Sequence, residues 1–277
     1  MTQASDASTQ LENKQLGQGA KISPRSISTV IITQDEEVRT GKAICSCQAF
    51  SDEIIVVDGG SKDATVQRAQ ELGCKVFVNP WPGYAKQRRF GIDQAQHNWV
   101  FMIDSDEVVS EELADSIAAW KQTQTLSASA FSVDRIGDFL GKWLTSRADY
   151  QIRLFNKTVF QVTDVLVHES VDPGENPVIQ LQGVLWHYGF RSISDHVVRF
   201  NKYTDLEAQK DYLIGKRFSL ARLLLKPPAR FVQVYFIHQL YSKGLAGLAV
   251  AVLKVYYDLL KEIKLYELGW AGGRRER

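Results

Sequence analysis

Residues 100–107 read VFMIDSDE, an apolar run that stops abruptly at two aspartates separated by one serine. In an extended chain alternate side chains point the same way, so Asp104 and Asp106 would present two carboxylates on one side of a strand end. Like charges held that close repel one another. The arrangement asks for a cation or a polyhydroxyl partner, and a divalent metal carrying a diphosphate satisfies it. A solvated turn ahead of a helix has the same appearance, so the flanking sequence must decide between the two.

Toward the N-terminus, apolar and β-branched runs at 28–33 (STVIIT), 53–57 (EIIVV), 75–78 (KVFV) and 99–103 alternate with helical stretches at 37–49, 63–72 and 84–94. Gly73 ends the second of these helices, and Ser110 followed by Glu111 and Glu112 caps the helix after the aspartates. Strands alternating with helices predict crossover units and a mostly parallel sheet flanked by helices, an α/β, Rossmann-like fold. Ligands of such sheets sit beyond the carboxyl ends of the strands. Thr33, Asp58 and Asp104 all fall there.

After residue 127 the rhythm changes. Runs at 130–135, 151–156 and 178–183 read as strands of a mixed or antiparallel extension, without clear helices between them. From 192 to about 268 the chain reads as helical, with breaks at Pro227-Pro228 and Gly244. The expected division is a disordered leader at 1–25, an α/β unit at 26–190 and a helical region at 191–277. The leader lacks the basic and apolar regions of a signal peptide.

The formal net charge of the 277 residues is +1, which offers no case for nucleic-acid binding. Three cysteines, Cys45, Cys47 and Cys74, are an odd count without repeated spacing. They read as reduced thiols in a cytosolic setting rather than as a disulfide framework or a zinc site. No uncharged apolar run reaches ~18 residues, so a simple transmembrane helix is not expected.

Two further motifs share the strand-end crevice. Asp58-Gly59-Gly60-Ser61 follows the second strand: its glycines permit a tight turn and close approach of a ligand, and Ser61 can cap the next helix, whose first amides favour anions. Thr33-Gln34-Asp35-Glu36 ends the first strand and reads equally as a helix cap with acidic first-turn residues. Each motif alone fits a structural turn.

Together, their order, spacing and content resemble glycosyltransferase family 2, of the GT-A fold, and within it the lipopolysaccharide-core β-glucosyltransferase-like proteins. Thr33 to Glu37 match the family's Thr-x-Asn-Glu-Glu, with Asp35 for the Asn. Val57, Asp58, Gly60, Ser61 and Asp63 match Val-Asp-x-Gly-Ser-x-Asp, and Asp104 to Glu107 match Asp-x-Asp-Glu. Gln87-Arg88-Arg89 stands for a Gln-basic-Asn step, with Arg89 replacing the Asn, and Val167-His168-Glu169 matches Val-His-Glu.

The resemblance implies a nucleotide-sugar half at about 26–125 and an acceptor half at about 126–190. Thr33, Glu36, Asp58 and Gly60 would hold the nucleoside, a uridine diphosphate sugar being the expected donor. Asp104 would reach the ribose or the metal, and Asp106 would bind Mg²⁺ or Mn²⁺. Lys86 and Arg88 stand beside the site, where one of them would neutralise phosphate or both would form a solvated helix face. The implied reaction is inverting hexosyl transfer, which needs a carboxylate base to activate an acceptor hydroxyl. Glu169 is the expected base, with Asp164 and Asp149 as rivals. His168 would orient the diphosphate or approach the metal. Arg153 would bind phosphate or pair with a site carboxylate.

Residues 210–277 gather Lys216, Arg217, Arg222, Lys226 and Arg230 among apolar residues, followed by the apolar run LAGLAVAVL at 245–253. Basic residues beside an apolar helical face describe an interfacial helix on an anionic membrane. Helices packed on the catalytic unit or in a dimer interface would look the same. The expected acceptor is a lipid-linked glycan or lipopolysaccharide-type precursor at the cytoplasmic membrane face. Two other readings stand beside it: a nucleotide-sugar-binding membrane scaffold without turnover, and a sugar nucleotidyltransferase, which the absence of a Gly-rich loop with a lysine near the first strand disfavours.

Overall fold

Four parallel strands, β1 (Ile27–Thr33), β2 (Glu53–Asp58), β3 (Lys75–Val78) and β4 (Trp99–Asp104), lie side by side in the order β3-β2-β1-β4. The computed structural model describes residues 25–123, 130–160, 171 and 173–275, of which 145–150 and 272–275 are described in backbone only. The unbroken apolar runs of β1 and β4 arise because both faces of the sheet are covered. Side chains alternate between two cores: Ile27, Ile31, Trp99, Phe101 and Ile103 face one, while Val30, Ile32, Val100 and Met102 face the other.

Helices α1 (Glu37–Cys47) and α4 (Glu111–Gln122) bury Ile44, Leu113 and Ile117 in the first core. Between them in sequence come α2 (Thr65–Glu71) and α3 (Tyr84–Gln94). Helix α3 covers the second face through Ile92. It lies close against the sheet because residue 91 is glycine: a Cβ there would stand 2.5 Å from Val30 Cγ1 and 2.8 Å from Val57 Cγ2.

The second half of the sheet continues from β4 in the order β7 (Lys142–Asn156), β6 (Ala130–Phe139), β8 (Val178–His187) and β5 (Glu107–Val109). Strand β7 runs antiparallel to β4 and β6, whereas β8 runs parallel to β6 and antiparallel to β5. Although β5 begins directly after the Ser105-Asp106 turn that ends β4, it stands at the far edge of the strand order, so this half of the sheet curls back on itself. The expected strands are present and longer than the sequence suggested. Strands β6 and β7 form a hairpin through Leu140 and Gly141, at φ 48° and 71°, and β5 was absent from the sequence reading because three residues carry no periodicity.

The C-terminal region comprises α5 (Ile193–Leu213), α6 (Leu220–Phe231), a π-helical turn at Val232–Ile237, a short 3-10 turn at Leu240–Lys243, and α7 (Leu245–Arg275). Gly244 marks a break, at φ 60°. Pro227-Pro228 does not: both residues lie inside α6. Lys226 and Arg230, one on each side of the pair, both bind Asp258 of α7 at 2.8 Å and hold that segment in helical register. Helix α7 also binds α5, through Lys261 to Glu207 at 2.9 Å. Among the described residues, no helix is long and apolar enough to cross a membrane.

Candidate active site

The parallel register sets Thr33 beside Asp58 and Ile32 beside Asp104, so the three strand-end motifs open at one edge of the sheet. Asp58, 1% exposed, closes its own turn. One carboxylate oxygen accepts the Gly60 and Ser61 amides, both at 2.8 Å, and the other accepts the Ser61 hydroxyl. Gly60 completes that turn at φ 97°. The turn is laced to the end of β1, where the Asp35 amide donates to Ser61 Oγ at 2.8 Å and the Lys62 amide to Asp35 Oδ1 at 2.7 Å. Thr33, also buried, shares a hydrogen bond with Thr40 of α1 at 2.7 Å.

The Asp-Ser-Asp-Glu segment divides its acids among different tasks. Arg88 of α3 donates to Asp104 Oδ1 at 2.6 Å. Burial pushes the Asp104 carboxyl up, but the Arg88, Arg153 and Arg135 guanidiniums outweigh it and hold the group well below the usual carboxylate range. Glu107, fully buried, accepts Arg135 Nε and an Arg153 guanidinium nitrogen on one oxygen, each at 2.6 Å. Its other oxygen accepts the Asp104 amide at 3.0 Å. This anion pins β5, β6 and β7 together inside the curl and shapes the turn between the two aspartates.

Asp106 faces a different partner. His187, the last residue of β8, brings Nε2 to 3.2 Å from Asp106 Oδ2, and the Tyr188 amide donates to the Asp106 carbonyl at 2.8 Å. Both side chains are about one-fifth exposed. The His187 ring folds back over Gly189, where a Cβ would lie 2.0 Å from its Cε1.

Two further contacts cross the mouth. Arg191, just past β8, forms an ion pair with Glu36. Tyr84 of α3 hydrogen-bonds Tyr203 of α5, and burial, Tyr203 and the Asp104 and Asp106 carboxylates push the Tyr84 phenol up to about 12. The C-terminal region therefore reaches the same opening as the strand ends.

The structure brings together Thr33, Glu36, Asp58, Gly60, Arg88, Asp104 and Asp106. Lys86 is exposed on α3. Arg153 takes the carboxylate-pairing option through Glu107. His168, Glu169 and Asp164 lie outside the described residues, and Asp149 is described in backbone only. The sequence reading missed His187, Arg191, Tyr84, Tyr203 and the buried Glu107–Arg135 pair. For His187 the only available signal was a histidine among aromatics at the end of a strand.

The donor set, one oxygen and one nitrogen, fits a divalent cation that accepts mixed ligands rather than an all-oxygen site. Asp106 and His187 offer one carboxylate and one imidazole, side by side and open to solvent. Among the described residues no group of three or more His, Cys, Asp or Glu side chains is gathered for a metal.

A Rossmann-like parallel half, acidic strand ends and a curled mixed-strand half together define the class, a GT-A-type glycosyltransferase. The family model for glycosyl transferase family 2 matches residues 28–173, and the chain belongs to that family. An uncharacterized glycosyltransferase of Rickettsia typhi is 32% identical over 259 residues, 88% of each chain. The lipopolysaccharide core biosynthesis glycosyltransferase LpsC of Rhizobium meliloti is 29% identical over 258 residues, 87% of this chain and 92% of that one. Among solved structures, glucosyl-3-phosphoglycerate synthase of Mycobacterium tuberculosis aligns with a TM-score of 0.48 at 17% identity, over 76% of this chain and 85% of that one.

Proposed function

We propose that this protein is a metal-dependent, inverting hexosyltransferase that moves a sugar from a nucleotide-sugar donor to a hydroxyl of a lipid-linked glycan. The observation that carries this reading is the Asp106–His187 pair, set at the carboxyl ends of the strands beside an Asp104 that Arg88 keeps ionised.

Asp106 and His187 would hold Mg²⁺ or Mn²⁺. The bound ion would supply electrostatic stabilisation of the charge that grows on the departing diphosphate. Arg88 fixes Asp104 at the strand end, where the carboxylate faces the ribose or the ion. The β1–α1 and β2–α2 loops, laced together through Asp35 and Ser61, form the nucleoside wall with Glu36. Glu169 takes the proton from the acceptor hydroxyl as its oxygen attacks the anomeric carbon.

The acceptor class follows from the likeness to a lipopolysaccharide core enzyme. It is supported by the exposed Leu220, Leu224, Leu225, Phe236 and Ile237, which fall in a segment of sequence bounded by Arg217 and Lys243 and suit the cytoplasmic face of an anionic membrane.

The test is turnover of a UDP-hexose with Mn²⁺ present, comparing wild type with Asp106→Asn. Turnover that needs the ion and is lost in the folded variant supports the reading. Nucleotide binding without turnover would identify a scaffold instead, and absence of both would end the proposal.

A further inference from the structure

The segment that joins β8 to α5 is fastened residue by residue. The Tyr188 amide donates to the Asp106 carbonyl at 2.8 Å, the Gly189 carbonyl accepts an Arg199 guanidinium nitrogen at 2.7 Å, and the Phe190 amide donates to Asp138 Oδ1 at 3.2 Å. Arg199 is itself held by Asp195 at 2.6 Å, and the Phe190 ring packs on Phe139 with centroids 4.7 Å apart. This frame carries His187 at one end and Arg191 at the other. There Arg191 pairs with Glu36, on the loop between β1 and α1.

The guanidiniums deeper in the site are committed to carboxylates, Arg88 to Asp104 and both Arg135 and Arg153 to Glu107. Drawing any of them away would leave a buried acid short of its counter-charge. Arg191 is under no such constraint. Its side chain is 52% exposed, and Glu36 keeps a second cation, Arg39, at 3.4 Å. An ion pair open to solvent on one side holds weakly and can exchange partners.

Position adds to this freedom. Glu36 belongs to the wall assigned to the nucleoside, and His187 to the pair assigned to the ion. In a nucleotide sugar the diphosphate links those two regions. A guanidinium that reaches from the His187 segment to Glu36 therefore stands where the phosphate oxygens would pass.

We propose that Arg191 binds the donor diphosphate, its guanidinium leaving Glu36 for the phosphate oxygens when the nucleotide enters. The assignment rests on the nucleotide-sugar reading and names a residue that reading leaves without a role. The planar fork of a guanidinium matches two phosphate oxygens at once, where an ammonium is a single point of charge.

Ligand-observed NMR titration of the full chain with Mn²⁺ present, using UDP and uridine as separate probes, tests the proposal in wild type, R191Q and R191K. R191Q should bind UDP at least about tenfold more weakly and uridine as wild type does, with an unchanged circular dichroism spectrum. R191K keeps the charge without the fork and should show a smaller loss confined to UDP; that loss decides the matter if R191Q does not fold. Equal UDP affinity in wild type and the variants overturns the proposal. A parallel loss of UDP and uridine affinity also overturns it, because Arg191 would then support the nucleoside wall instead. A wild type that binds neither probe refutes the nucleotide-sugar reading itself, and this assignment with it.

Discussion

His187 Nε2 stands 3.2 Å from Asp106 Oδ2, across the curl that brings the end of β8 back to the turn after β4. This contact joins the parallel half of the sheet to its mixed half. It gives the acidic strand-end motif a nitrogen donor that the motif itself does not contain. If the pair holds the ion, His187→Ala should raise the Mn²⁺ concentration for half-maximal turnover by at least about tenfold while the melting temperature stays near wild type. An unchanged metal titration would take His187 out of the metal site.

Gly189 leaves the space that the His187 ring occupies, since a Cβ would approach its Cε1 to 2.0 Å. Gly189→Ala should therefore swing the imidazole off Asp106 and reproduce the metal defect of His187→Ala. The cost in stability should be about 1–3 kcal/mol, as for other overpacked sites. Metal titration and urea unfolding of the two variants side by side would check this. A wild-type titration in Gly189→Ala would show that the ring relaxes without leaving its partner.

Glu107 is the motif acid that acts on the fold. Replacing it with alanine leaves Arg135 and Arg153 facing each other inside the curl without their shared anion. Breaking one side of a buried pair costs about 3–5 kcal/mol. Glu107→Ala should lower the urea midpoint sharply, whereas Asp106→Asn, one turn residue away and partly exposed, should leave it nearly unchanged.

Asp104 predicts a pH dependence. In the fold its carboxyl is held low against burial by Arg88, Arg153 and Arg135; unfolded it titrates near ~3.9. As pH falls, the unfolded chain takes the proton first. The stability Asp104 adds is complete above about pH 5 and is lost progressively below about pH 4. Asp258, held low against burial by Arg230 and Lys226, acts in the same direction. Thermal unfolding from pH 7 to 2.5 should show a shallower acid decline in Asp104→Asn than in wild type. Parallel curves would refute the assignment.

Glu169→Gln separates binding from chemistry. With Glu169 as the base, the variant should bind the UDP-sugar as wild type does and lose transfer by at least about 100-fold. Calorimetric titration with donor and single-turnover transfer decide the matter. An equal fall in donor affinity would make Glu169 a binding residue and move the base to Asp164 or Asp149.

Local chemistry made the parallel half readable. An apolar run buried on two faces, a carboxylate at its end and a glycine turn after it are all encoded within a few residues, so β1 to β4 and the positions of Thr33, Asp58 and Asp104 follow from the chain alone. Composition likewise announced the helical C-terminal region and its surplus of apolar surface. Partner choice was not legible. Arg88 reads as a phosphate ligand or as part of a solvated helix face until α3 sets it against Asp104. Glu107 reads as one more motif acid until β6 and β7 close two guanidiniums over it. The prolines of α6 read as a break until Asp258 clamps the helix from outside. His187 has no motif at all. Each depends on contacts between strands or helices distant in sequence, and the energy of a buried charge is set by what surrounds it in space rather than by its neighbours along the chain.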